Sequence, residues 1–292
     1  MKELLRFSKN IFESVPVEFR DWATVRITEY YLQSGIGHGF RTNKGRYWGH
    51  KMMSRWIEGK PTLLSEFAEG LFDGYNFNLN GLERLPESGS EIIVVNQPNT
   101  GPLRGNWFKS LVNFAIAESR GRQGNYEARW VQKEGSEKPF LAKTPLDIQR
   151  RRLAQMIHKS CNTILVDPKQ SDRDKLKAVL EMKRHLTAGG VLVVCPEGRD
   201  STKLKRGQEE AGQLVSMLAT KLDVCVRPVG VWYKNGDLNV NFGEPVQLEN
   251  SRSSGQKVAD LAMVEIGRLL PRNGRGIYTH FIDRLNNSNA SI

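Results

Sequence analysis

Apolar positions along this chain change their period near residue 75. Over residues 1–74 they recur at helical spacing. Leu4, Leu5, Ile11 and Phe12 form a stripe interrupted at Ser8, and Leu63, Leu64, Phe67, Leu71 and Phe72 form a second. Apolar residues three to four apart put one greasy face on a helix. Between the stripes, Gly35-Ile36-Gly37-His38-Gly39-Phe40-Arg41 is followed by Lys44 and Arg46. No strand pattern precedes these glycines, so they read as a loop joining two helices and not as a phosphate-binding loop.

From Tyr75 the pattern becomes that of strands alternating with helices. Phe77 and Leu79 alternate with Asn76, Asn78 and Asn80, as in a half-buried strand. Glu91-Ile92-Ile93-Val94-Val95, Ala128-Arg129-Trp130-Val131, Thr163-Ile164-Leu165-Val166 and Val191-Leu192-Val193-Val194-Cys195 are short, largely apolar runs of the kind buried on both faces of a sheet. Trp107, Leu111, Val112 and Ala115 mark one helix, Leu176 to Leu186 a second closed by Gly189-Gly190, and Glu209 to Lys221 a third. Val224 to Val231 is a strand carrying Pro228, which predicts a sheet edge or a bulge there. Leu238 to Phe242 alternates and ends at Gly243-Glu244-Pro245. A last helix spans Lys257 to Leu270, and the polar tail from Asn286 to Ile292 reads as frayed. The expected fold is α/β, with a mixed, largely parallel sheet flanked by helices over residues 75–250. A helical extension precedes it (1–74), and a helix and tail follow (251–292).

Composition narrows the setting. The 292 residues include 43 Lys and Arg against 32 Asp and Glu, a net charge of +11. That excess favours anionic partners: a phospholipid surface, a phosphorylated substrate or nucleic acid. No stretch approaches the roughly 20 apolar residues that span a bilayer, and Met1-Lys2-Glu3-Leu4-Leu5-Arg6 is too charged for a secretory signal. The three cysteines, Cys161, Cys195 and Cys225, are odd in number, lack metal-ligand spacing, and fit a reducing compartment. A cytoplasmic location is expected, peripheral on the inner membrane face wherever the protein meets lipid.

The sharpest local signal is Cys195-Pro196-Glu197-Gly198-Arg199-Asp200-Ser201. It follows a buried strand directly, at the sheet end where open α/β sheets bind ligands. Lys203, Lys205 and Arg206 follow, then Gly207 and a helix. Cations beside a glycine turn and a helix start suit a phosphate-bearing ligand. A plain strand-to-helix turn with a solvated basic rim has the same pattern.

Pro196-Glu197-Gly198 and Ser201 resemble the Pro-Glu-Gly-Thr-Arg-Ser block of the glycerol-3-phosphate and lysophosphatidate acyltransferase family. Four further stretches resemble that family in its order. Phe77 to Pro86, with Gly81, Glu83, Leu85 and Pro86, is similar to the opening strand and its lead-in. Ile92-Ile93-Val94-Val95-Asn96 is similar to the strand before the catalytic block. Arg227-Pro228-Val229-Gly230 and Asn241-Phe242-Gly243-Glu244-Pro245-Val246 are similar to the two later strands. The resemblance covers about residues 75–250. It implies transfer of an acyl group from acyl-CoA or acyl-carrier protein to a glycerolipid or related hydroxyl. That reaction has a thioester donor as substrate and needs no cofactor or metal. Asn96, Gln97, Glu197, Gly198, Arg199, Ser201 and Lys205 become the candidate substrate-binding residues.

The departures fall on the catalytic pair. In the family a histidine takes the acceptor's proton and an aspartate five residues later orients it. Here Gln97 occupies the histidine position and Pro102 the aspartate position. Glutamine cannot act as a base near neutral pH, and proline orients nothing. The family's second block also differs, since Asp167 is followed by Pro168 and the next arginine is Arg173. In the third block Arg199 stands one position early, with Asp200 in the arginine's place.

None of His38, His50, His158, His185 or His280 lies in the matched blocks, and each reads as structural or surface. Cys195, at a strand end with no base evident beside it, reads as a small core residue. Arg150-Arg151-Arg152 and the cations from Lys203 to Arg206 suit anionic headgroups better than nucleic acid, because no aromatic residues are interleaved for stacking. Two functions remain open from sequence: a transferase working through a modified site, and a catalytically silent protein of the same fold that binds lipid or acyl thioester.

Overall fold

A computed structural model describes residues 42–58, 60–103, 107–121, 127–133, 158, 160–166, 171–246, 248 and 254–289. The stripe at Leu4–Phe12, the glycine-rich stretch at 35–41, Arg150–Arg152 and Asp167-Pro168 lie outside the described residues.

Among the described residues, seven strands form one sheet. In chain order they are β1 (Asn76–Asn80), β2 (Glu91–Val95), β3 (Arg129–Lys133), β4 (Thr163–Val166), β5 (Val191–Val194), β6 (Val226–Lys234) and β7 (Asp237–Phe242). Their spatial order is β1-β7-β6-β2-β5-β3-β4. Every neighbouring pair is parallel except β6 and β7. Five strands therefore run one way, while β7 and β1 run the other. The expected mixed, largely parallel sheet is present.

Helices cover both faces. On one side lie α1 (Asn43–Glu58), α2 (Leu64–Leu71) and α3 (Trp107–Arg120); on the other lie α4 (Asp172–Thr187), α5 (Glu209–Leu222), α6 (Gly255–Leu269) and α7 (Thr279–Asn289). The strand period of two divides the core between them. Ile93, Val95, Val191 and Val193 meet Phe67, Leu111 and Phe108 on the first face. Ile92, Val94, Leu192 and Val194 meet Met182, Val215 and Met263 on the second. This is why β2 and β5 read as unbroken apolar runs.

The N-terminus of α2 has no cap of its own. Glu127 supplies one from a distance, accepting from the N–H groups of Leu64 (3.2 Å) and Ser65 (2.9 Å) and from the Ser65 hydroxyl. The exposed asparagines of β1 form a ladder with β7: Asn76 donates to Asp237, Asn78 to Asn239 and Asn80 to Asn241.

One expectation is narrowed to one of its two alternatives and a second needs correction. Pro228 does not mark a sheet edge, because β6 lies between β2 and β7. The bulge reading holds instead. Val226 pairs with Val246 but Val229 pairs with Phe242, a slip of one residue across Pro228. The Pro228 carbonyl still accepts from Gly243 N–H at 2.9 Å. The correction concerns the C-terminal tail, which is helical as far as Asn289. Ile282 is fully buried in the second core and Leu285 packs against it. Two anchoring side chains among polar residues are too few for a periodic signal.

Candidate active site

Because β2 and β5 are adjacent and parallel, the turns that follow them emerge side by side at the carboxyl edge of the sheet. Asn96 extends the ladder of β2 with its side chain. Its Nδ2 donates to Val231 O and its Oδ1 accepts from Val231 N–H, both at 2.8 Å. Gln97 then turns toward β5. Its N–H donates to Glu197 Oε2 at 3.1 Å, its carbonyl accepts from Ser201 N–H at 3.0 Å, and Asn99 N–H donates to Ser201 O at 2.9 Å. Pro98 and Ser201 form a short parallel bridge. The two turns are thus zipped together beyond the last residues of their strands.

Glu197 is the hub of this join. It is buried, and its second oxygen accepts from Lys205 N–H at 2.8 Å. Burial pushes its carboxyl up to about 7, against the pull of the two N–H donors. Gly198 adopts φ +67°, where a side chain would also meet Gln208 Nε2 at 2.7 Å. Gln208 braces the turn from the start of α5, donating through N to Pro196 O and through Nε2 to Glu197 O. Ser201 spends its hydroxyl on Lys203, donating to its carbonyl at 2.5 Å. Arg199, Lys203 and Lys205 are exposed and leave a basic rim.

Pro102 falls in a 3₁₀ turn, Gly101–Leu103. The Gln97 side chain is held by Asp200: its Nε2 donates to Asp200 Oδ1. A carboxylate therefore stands beside position 97 after all, supplied by the Pro-Glu-Gly turn and not by position 102.

A buried lysine joins this edge unannounced. Lys109 lies in the first turn of α3, and its Nζ donates to Gln132 Oε1 at 2.5 Å, near the carboxyl end of β3. The ammonium also sits 5.3 Å from the centre of the Trp130 ring. Burial lowers its pKa to about 8, although Cys195, Cys161 and Asp200 favour its charge. Burial, and secondarily the Lys109 charge, hold His158 near 4, so that imidazole is neutral. Burial pushes the Cys195 thiol up to about 12, which makes it a poor nucleophile and fits a core role.

The sequence blocks divide between the two sheet edges. Asn96-Gln97 and Pro196–Ser201 meet at the carboxyl edge. The remaining three meet at the opposite one. There Gly81 at φ +75° lies against the Phe242 carbonyl, and Arg84 reaches Phe242 O (2.8 Å) and Glu244 (3.0 Å). Arg227 binds buried Glu91 at 2.6 Å and Gly243 O at 2.8 Å. Those blocks join the strands at that edge.

Among the described residues, no group of three or more His, Cys, Asp and Glu side chains is arranged to hold a metal. None of the described helices is long and apolar enough to cross a membrane. No protein-family profile matches the chain. No curated protein matches it. Among solved structures it is similar to the 1-acyl-sn-glycerophosphate (LPA) acyltransferase PlsC from Thermotoga maritima, with a TM-score of 0.44 and 16% identity over 92% of this chain and 97% of that one.

Proposed function

We propose that this protein transfers an acyl group from acyl-CoA or acyl-carrier protein to a glycerolipid or related hydroxyl acceptor, through a modified site at the carboxyl edge of β2 and β5. The observation that carries this reading is the join of Gln97 to Glu197 and Asp200. Two stretches 100 residues apart, each similar to an acyltransferase block, converge there. The exposed cations Arg199, Lys203 and Lys205 supply a rim suited to an anionic headgroup or to the phosphates of the donor. The same rim favours an anionic phospholipid surface as a partner.

The second reading, a silent lipid- or thioester-binding protein, is favoured by Gln97 itself, whose amide takes no proton near neutral pH. One experiment separates the two. Transfer is measured from acyl-CoA and acyl-carrier protein donors to lysophosphatidate and glycerol 3-phosphate, with wild type and Asp200→Ala. Transfer above the uncatalysed rate that falls about tenfold or more in Asp200→Ala supports the enzyme. Saturable donor binding with no transfer by wild type overturns it in favour of the silent protein.

A further inference from the structure

The site lacks the family's base at position 97 but holds an amine on the same edge and the same face of the sheet. Ile93 and Val95 of β2 face the helices α2 and α3, and the same alternation continued past the strand end assigns Gln97 to that face. Cys195 follows Val191 and Val193 to that face. Lys109 enters this face from the first turn of α3. We propose that the Lys109 amine is the general base of this site, in the transfer reaction read above and resting on that reading.

Three observations beyond position support it. First, Lys109 is the one charged residue in the stretch Trp107–Ala117, the rest of which is apolar, Ser or Asn, and it is only 6% exposed. Burying a lysine is costly, and the carboxylate that favours its charge, Asp200, acts on it at a distance. Its near partners are the neutral Gln132 amide and the Trp130 ring. The Gln132 oxygen and the Trp130 ring both stabilise the charged form, and burial outweighs them, lowering the pKa to about 8. Second, the titratable groups around it divide into clear roles. Burial raises the Cys195 thiol and lowers His158, whose imidazole is neutral, and Asp200 accepts from Gln97. Asp200 would stabilise the ammonium formed when the amine takes a proton. Third, a long flexible stem lets an amine reach a hydroxyl where a shorter side chain on α3 would not.

The step balances. The neutral amine accepts the acceptor hydroxyl's proton as that oxygen attacks the thioester carbonyl. The carbon–sulfur bond then breaks, and the leaving thiolate takes the proton back from the ammonium. One ester and one thiol result, and no oxidant or reductant is needed.

The test is the pH profile of kcat/KM for the full-length protein, alongside three variants and a direct titration of the amine. Wild type is expected to gain about tenfold per pH unit below 8 and to level off above it. Lys109→Met keeps the stem's packing and should lose about 100-fold. Lys109→Arg keeps the charge but cannot deprotonate, and should lose as much. The Lys109 Nζ signal, assigned by its absence from Lys109→Met in spectra of ¹⁵N-lysine-labelled protein, should titrate near pH 8 whether or not any substrate is present. Several results overturn the proposal: a rate that falls above pH 8, an active Lys109→Arg, or an amine titrating near 10.5. Loss in His158→Ala with none in Lys109→Met would pass the role to His158. Wild-type transfer that persists in Lys109→Met overturns this inference and leaves the transferase reading intact, whereas absence of transfer by wild type overturns both.

Discussion

The Gln97 backbone N–H donates to the Glu197 carboxylate at 3.1 Å, although 100 residues separate them. The other carboxyl oxygen of Glu197 holds Lys205 N–H, so one buried side chain fixes both turns of the site. The resemblance suggests a substrate-binding role for this glutamate. Its bonds describe a residue that sets the geometry of the residues around it.

That role has a pH signature. The Glu197 carboxyl rises from 4.5 to about 7 on folding, so between those values the folded chain binds more protons than the unfolded one. The stability it contributes is complete below about pH 4.5 and is lost as pH rises through 7. Wild type should therefore lose about 2 kcal/mol more than Glu197→Gln between pH 5 and pH 8, from a shift worth about 1.4 kcal/mol per unit. Urea midpoints of both proteins at the two pH values measure it. Equal losses would mean that Glu197 is ionised throughout.

The helix leaving the Pro-Glu-Gly turn is held by a glycine contact. A Cβ on Gly212 of α5 would stand 1.9 Å from Gly255 O and 2.7 Å from Ala259 N of α6. Both are backbone atoms, so relief requires the helices to part. Gly212→Ala should cost about 2–3 kcal/mol and lower Tm by about 5–10 °C. A calorimetric scan within a degree of wild type would show that the helices separate freely.

Much of this arrangement is legible in the chain. The apolar runs of β2 and β5 mark central strands, and the polar turns after them mark the working edge, because a strand buried on both faces has nowhere else to present chemistry. Pairing order is not legible. Pro228 argues locally against a central strand, and only long-range contacts show that a one-residue slip absorbs it. Lys109 is invisible to periodicity for a related reason. The stripe Trp107, Leu111, Val112, Ala115 predicts a single buried face, but the first turns of α3 are buried all round. A single charge in an otherwise uncharged stretch was the available signal. The partnership of Gln97 with Asp200 was hidden by the Arg199–Asp200 order, which reads in sequence as a defect in the motif.

The basic rim should bind membranes electrostatically. Arg199, Lys203, Lys205 and Arg206 lie together on one exposed turn, within a chain of net charge +11. Vesicles containing phosphatidylserine should bind the protein at 50 mM salt and release it at 500 mM, because screening shortens to about 4–5 Å. Lys203→Glu and Lys205→Glu should each weaken binding about fivefold or more. Sedimentation with neutral vesicles as the comparison measures this. Equal binding to neutral vesicles, or tighter binding to single-stranded nucleic acid at matched salt, would remove the lipid surface as the favoured partner.

Restoring a histidine at position 97 should change the pH range of the reaction more than its ceiling. Asp200 already accepts from the side chain there, so an imidazole would find an orienting carboxylate without any change at Pro102. An imidazole has an ordinary pKa near 6.5, and even raised somewhat by the Asp200 carboxylate it stays far more neutral at that pH than an amine with a pKa of about 8, which is about 3% neutral. If each group serves as base in its neutral form, Gln97→His should raise transfer about tenfold at pH 6.5 and change it little at pH 9. Adding Pro102→Asp should bring no further gain, because a carboxyl in the Gly101–Leu103 turn would compete with a partner already in position. Rates at the two pH values for wild type, Gln97→His and the double variant provide the measurement. Activity that appears only in the double variant would restore position 102 as the orienting site and leave Asp200 a structural role alone.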